Sequence, residues 1–253
     1  MSETRLATTW FDSQYIKDTR KKAQAYSSKE DLWSWYVLRR VSIFVSLLLI
    51  KLKVTPNAIS WASSFFVVFS GFWLIQASSL SFILAFFSYN LGYLLDCVDG
   101  EVARLTGNES RKGYFIDLLI QGATLPVYLS ILLATLNIIG LLTGDFWALA
   151  IIYIVVCAII SALFVPIAYQ LTMLKQQMKN NVQDPVNKIR QKKFVFEVIG
   201  FILGLPGFFL TTLILTLASI VTNYTVELYY FLVFLAIIVF KTSARFLITV
   251  KSF

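Results

Sequence analysis

With 253 residues, 58% of them hydrophobic and only 14% charged, the chain is too apolar for a soluble domain. Its net charge of +8 would suggest nucleic acid in a soluble protein, but no recognition motif accompanies it. In a membrane protein the same excess marks cytoplasmic loops and anionic lipid headgroups, so nucleic acid is excluded as a partner and membrane lipids are expected.

Residues 1–28 are polar and carry Lys17, Arg20, Lys21 and Lys22. No apolar core precedes about residue 32, so no cleavable signal peptide is expected. Ser28-Lys29-Glu30-Asp31 resembles a capping box and predicts a helix over 29–52. The apolar run in that helix, Val41 to Ile50, is short for a span. Arg39, Arg40, Lys51 and Lys53 border it, and Trp33, Trp35 and Tyr36 precede it, a pattern suited to an amphipathic helix lying in the membrane interface.

Thr55-Pro56-Asn57 then breaks the chain, with Pro56 suited to the first turn of a new helix. Spans are predicted at 57–77, 80–105, 113–139, 146–174, 195–222 and 226–249. The joins near 78–80, 140–145 and 223–225 contain no Lys or Arg, whereas Arg111, Lys112, the basic 175–193 loop, Lys241, Arg245 and Lys251 all fall on the other side. By the positive-inside rule both termini are cytoplasmic. A seventh span at 38–53 would put the N-terminal basic cluster on the opposite side from every later one. The expected fold is therefore all-α and polytopic: six transmembrane helices (residues 57–253) preceded by a cytoplasmic segment and an N-terminal interfacial amphipathic helix (residues 1–56). Pro126, Pro166 and the Gly200-x3-Gly204-x-Pro206-Gly207 run are expected kink or close-packing sites. The 175–193 loop reads as a solvated surface that also attracts anionic headgroups. Cys97 and Cys157 lie in apolar runs and read as packing residues.

Against this background one stretch is anomalous. Asp96 and Asp99 are spaced i, i+3 and Ala103 follows at i+7, so a helix puts all three on one face. Asp117 and Gln121 share a face of the next helix at i, i+4. A carboxylate inside a membrane segment costs about 2.5–3.5 kcal/mol or more, so three need compensation. Arg104 is the one cation inside these two helical runs, and the chain has no histidine. A divalent metal suits clustered carboxylate oxygens, with Mg²⁺ or Mn²⁺ the hard cations of choice. Glu101 points away from the aspartate stripe and is left out of the site.

The spacing resembles the signature of the CDP-alcohol phosphotransferase family, D-x2-D-G-x2-A-R-x8-G-x3-D-x3-D. Asp96, Asp99, Gly100, Ala103, Arg104, Gly113 and Asp117 fall in register, and Gln121 stands where the pattern has its fourth aspartate. The resemblance implies an integral membrane enzyme, commonly a homodimer, that joins the phosphoryl group of a CDP-linked donor to an alcohol acceptor and releases CMP. It implies that Asp96, Asp99 and Asp117 bind metal at the CDP pyrophosphate, and that position 121 holds a metal ligand and the acceptor's base.

On that reading Gly100 and Ala103 leave room for a nucleotide against the helix, Gly113 opens a helix whose N–H groups favour phosphate, and Arg104 adds a planar cation. Asn57 either faces the same cavity or serves as a cap or turn residue. A glutamine accepts no proton near neutral pH, so Gln121 implies reduced activity, another proton acceptor, or an anionic acceptor bound with help from Arg111 and Lys112. A catalytically idle relative that binds CDP-linked ligand is the alternative. An ion-coupled transporter is disfavoured, since the chain has no internal repeat and its carboxylates are biased to one membrane face.

Overall fold

The computed structural model describes residues 6–24, 32–142, 146–177, 198, 200–222 and 226–250. Among these every regular element is helical. Six helices are long and apolar enough to cross a membrane: α3 (Pro56–Leu74), α4 (Ser79–Thr106), α5 (Arg111–Ile139), α6 (Phe146–Gln177), α7 (Leu205–Thr222) and α8 (Glu227–Val250). Before them come α1 (Gln14–Gln24) and α2 (Arg39–Lys51), the latter entered through a π-helical turn, Ser34–Leu38.

The helix starts follow from local chemistry. Thr55 caps α3 by accepting from the Ala58 N–H, and Pro56 occupies the first turn, where a missing N–H costs nothing. Ser78 and Ser81 form a reciprocal capping box on α4, and Ser110 caps α5. Pro126 and Pro166 lie inside α5 and α6 without ending either helix.

Helices α3 and α4 meet along a seam of small residues. The Ser63 hydroxyl donates to the Gly92 carbonyl at 2.8 Å, and that of Ser88 donates to the Phe66 carbonyl at 2.8 Å. A Cβ at Gly92 would stand 2.8 Å from the Val67 backbone nitrogen, so only glycine permits this approach. Above the seam an aromatic core joins α3, α4, α5, α7 and α8. Within it Tyr89 stacks on Phe209 at 4.3 Å, and Phe208 meets Phe234 at 4.6 Å. The outer helices α6 and α8 bury only 17% and 11% of their apolar windows in the protein, so most of their surface is left for lipid.

One predicted span is corrected, and two features appear that the sequence did not show. The span expected over 195–222 is interrupted at Leu203–Gly204, and α7 begins at Leu205, because Pro206 has no N–H to continue an earlier helix. Residues 195–197 of that span, the Ser28–Asp31 cap and most of the 175–193 loop lie outside the described residues. The polar segment before residue 28, for which no element was predicted, contains α1. Finally, the helix expected over 29–52 has the amphipathic character predicted, and the face it turns to the protein mixes buried polar residues with Ile43 and with Val45, Leu49 and Ile50 packed on Ile59, Val98 and Val102. It buries Arg39, Ser42 and Ser46 with Ile43, while Val41, Phe44 and Leu48 are exposed. A helix with this outward apolar face suits the membrane interface.

α1 is fastened to α2 through Arg20, which is fully buried. The π-helical turn runs its bonds i to i+5, as between the Arg39 N–H and the Ser34 carbonyl. Arg20 Nη1 and Nη2 donate to the carbonyls of Arg39 and Arg40 at 2.7 and 2.8 Å, and Nε pairs with Asp12 at 2.8 Å. Burial would raise the Asp12 carboxyl, but its bonds from Arg20 and Thr9 prevail and hold it below the usual carboxylate range. The pairing therefore stabilises α1 fully above that range and weakens as pH falls below it. Arg20→Gln is expected to cost on the order of 2–4 kcal/mol of α1 docking, since it strands a buried carboxylate and two carbonyls. Limited trypsin digestion reads this as faster cleavage at Lys17, Lys21 and Lys22. Unchanged cleavage would rule out the anchoring role.

Candidate functional site

Helix α4 carries Asp96, Asp99, Gly100, Ala103 and Arg104 in its last three turns, and Gly107 ends it in the left-handed conformation. A short link then starts α5, which brings Gly113 and Asp117 opposite them. All seven positions line one polar cavity of about 540 Å³, together with Asn57 and Ser60 of α3, Arg39 of α2, and Asn108, Glu109, Ser110 and Tyr114 around the α4–α5 link. The helical spacing of the sequence thus places these residues as expected. Asn57 is not the cap of α3, a role that falls to Thr55, and it lines the cavity.

The individual side chains are held from several directions. The Ser60 hydroxyl donates a short hydrogen bond to the Asp99 carboxylate. Asp99 and Asp117 lie close enough to repel one another. Arg104 Nε donates to the Ala23 carbonyl of α1 at 2.5 Å, which pins the guanidinium from behind. Its nitrogens lie 3.2–3.3 Å from where a Gly100 Cβ would stand, so a side chain there would have to displace them. One expectation is revised at Gly113. Its N–H, expected to favour phosphate, is taken by the Ser110 capping oxygen at 3.0 Å.

Gln121 does not line this cavity. It borders a second one of about 290 Å³, with Tyr89, Tyr93, Tyr128 and Thr124 supplying polar groups and Val67, Ile120, Leu205 and Pro206 apolar ones. Asp96 and Asp117 line both cavities and so mark their common border. Among the described residues no Lys or Arg lines the second cavity. Arg111 and Lys112, exposed on the first turn of α5, line neither.

Arg39 and Ser60 escaped the sequence analysis. Ser60 stands one turn beyond Asn57 on the same face of α3, a signal that spacing alone would have offered. Arg39 has none, because its place depends on Glu101. That residue, rightly left out of the aspartate stripe, is fully buried against α1 and α2, where it pairs with Arg39 at 3.0 Å.

Three carboxylates reach one polar space, and their oxygens are the donor type that a hard divalent cation takes, while two guanidinium groups stand among the same walls. Among the described residues, no three Asp, Glu, Cys or His side chains stand gathered as a ready-made metal-holding group. Compared with curated proteins and with solved structures, the chain finds no match. The family model described as CDP-alcohol phosphatidyltransferase matches residues 53–225, well over half of the chain and the whole of both aspartate-bearing segments. The chain therefore belongs to the CDP-alcohol phosphatidyltransferase family, membrane transferases of phosphate-containing groups in lipid biosynthesis.

Proposed function

We propose that the chain moves a phosphatidyl or phosphoalcohol group from a CDP-linked donor to an alcohol acceptor with release of CMP. The observation that carries this reading is the common border of the two cavities at Asp96 and Asp117. The transfer joins an acceptor oxygen to the phosphorus that bears the donor's alcohol, while the bond from that phosphorus to the CMP oxygen breaks. Donor and acceptor must therefore meet in line at one phosphorus. A cavity walled by two guanidinium groups beside one without Lys or Arg among the described residues, with two carboxylates shared between them, suits a diphosphate on one side and an uncharged hydroxyl on the other.

The family is in general dependent on divalent metal. Asp96, Asp99 and Asp117 would hold Mg²⁺ or Mn²⁺, which when bound would neutralise the diphosphate and the departing CMP. Ser60 orients Asp99, and the Ala23 carbonyl orients Arg104 towards the phosphate side. Gly100 leaves room for the Arg104 guanidinium to lie against the helix, and Ala103 adds little bulk where the nucleotide would sit. Gln121 offers the acceptor hydroxyl an amide that donates or accepts a hydrogen bond but takes no proton. The hydroxyl proton must therefore leave to another group. The second reading, a relative that binds CDP-linked ligand and metal without turnover, is favoured by that same residue.

The deciding experiment screens the purified protein for CMP release across CDP-linked donors and alcohol acceptors. Any pair giving turnover supports the transferase, and ligand-dependent stabilisation without turnover across the panel supports the idle relative. CDP with Mg²⁺ should raise the melting temperature of the unmodified protein, and Asp96→Ala or Asp117→Ala should abolish that rise. Equal stabilisation in Asp117→Ala would remove the shared-border site.

Restoring a carboxylate in Gln121→Asp should raise CMP release with an alcohol acceptor by about 10²-fold, the lower end of what a general base contributes. Rapid turnover by the unmodified protein, with no gain in the variant, would show that position 121 is not the base in this chain.

The Lys/Arg distribution further implies that the N-terminus and the site face the cytoplasm. Single cysteines at Ser13 and Ser79, both exposed positions, should then label from opposite sides of the membrane. Labelling from one side would reject the six-span topology.

A further inference from the structure

Arg39 lies outside the region matched by the family, on the first turn of α2, yet it forms part of the wall of the polar cavity. Its side chain is only 9% exposed. Nη1 donates to Glu101 Oε1 at 3.0 Å and to the Cys97 carbonyl at 3.2 Å, which fixes the guanidinium beside the stretch that bears Asp96 and Asp99.

Glu101 is held by three further donors: the hydroxyls of Ser42 at 2.5 Å and Ser46 at 2.7 Å, and Gln24 Nε2 at 2.8 Å. Such an arrangement is a poor way to gain stability alone. Well-packed apolar residues of the same volume commonly do as well or better than a buried ion pair. What the pair achieves is a cation fixed in one orientation, with its counter-charge behind it and a polar cavity in front. Gln24 Nε2 also donates to the Arg39 carbonyl, and the neighbouring Ala23 carbonyl takes Arg104 Nε. The same turn of α1 thus steadies the two guanidinium groups of the cavity. Arginine's planar fork matches phosphate oxygens, and a fixed fork loses little entropy on binding them.

We propose that Arg39 is a substrate-binding cation of this cavity, taking a phosphate oxygen of the CDP diphosphate alongside Arg104, with Glu101 as its positioning residue. The inference rests on reading the cavity as the CDP site. It makes the N-terminal layer part of the binding site, beyond the matched family region.

The test titrates CDP in the presence of Mg²⁺ against the full chain in detergent, with calorimetric affinity and melting temperature both read. Arg39→Gln alone would leave Glu101 buried without its counter-charge and is prone to misfold. Arg39→Gln with Glu101→Gln removes both charges and keeps the hydrogen-bonding shapes, so the ligand-free melting temperature should stay within a few degrees of the unmodified value. Its CDP affinity should fall about ten- to a hundredfold, the range expected for a hydrogen bond to a charged group. Arg39→Lys keeps the charge that Glu101 faces but loses the fork, and should bind CDP more weakly than the unmodified protein. CDP affinity equal to the unmodified value in both variants would overturn the inference. If Asp117→Ala nevertheless abolished binding, the nucleotide reading would stand and Arg39 would be no more than Glu101's counter-charge. Absence of any CDP binding by the unmodified protein would overturn the reading and the inference together.

Discussion

The close seam between α3 and α4 is the constraint on which the rest depends. Gly92 lets the two backbones approach, and Ser63 and Ser88 spend their hydroxyls on carbonyls across the gap, so both hydroxyls are satisfied at membrane depth. That register brings Ser60 against Asp99 and Asn57 to the cavity wall. It also fixes which face of α4 is left open. The aspartate stripe turns towards α5, where Asp117 arrives, while Glu101 turns towards α1 and α2. One helix thus presents carboxylates on two faces with opposite fates, one set lining a polar cavity and the other neutralised by Arg39 and a shell of hydroxyls.

The N-terminal layer is built inside-out relative to a soluble amphipathic helix. α2 turns Ser42, Ser46 and Arg39 inward with Ile43 because their partner, Glu101, is itself buried, and Val41, Phe44 and Leu48 are left for the bilayer. This works only where the outside is lipid, since in water the exposed Val41, Phe44 and Leu48 would favour the opposite orientation. α1 completes the layer by satisfying carbonyls beside the π-helical turn. Trp33 extends it sideways, with its indole N–H on Asn90 at 2.7 Å and its ring stacked on Phe201 at 6.0 Å.

What the sequence made legible follows from the same physics. Long apolar runs separated by short polar joins identify α3 to α6 and α8 to within three residues at each end, because length and hydropathy are what the bilayer demands. The i, i+3, i+7 spacing of Asp96, Asp99 and Ala103 predicts one face, and helical geometry carries that prediction directly into the cavity. The features that stayed hidden depend on partners distant in the chain. Arg20 in a basic stretch reads as a solvated charge until the carbonyls of Arg39 and Arg40 are seen around it. The polar face of α2 has the same periodicity whether it faces water or Glu101. The break before α7 was foreshadowed by Pro206, but a kink and a restart have the same sequence signature.

Gln121 shows how a spacing argument and a cavity divide the same residue differently. By sequence it lies one turn from Asp117 and so joins the carboxylate face. In the fold one turn is enough to cross the border, so that Asp117 touches both cavities and Gln121 only the second. Its companions there are tyrosines, Thr124, apolar side chains and the two shared carboxylates, with no Lys or Arg among the described residues, a surface able to orient a hydroxyl but not to compensate an anion. On the proposed reading, the cations of the site, Arg39 and Arg104, are confined to the donor side. An aspartate at 121 would add a third carboxylate to the second cavity, where no Lys or Arg among the described residues offsets it. The glutamine keeps the hydrogen-bonding capacity of the position and removes its charge, so acceptor recognition and proton removal are separated in this chain.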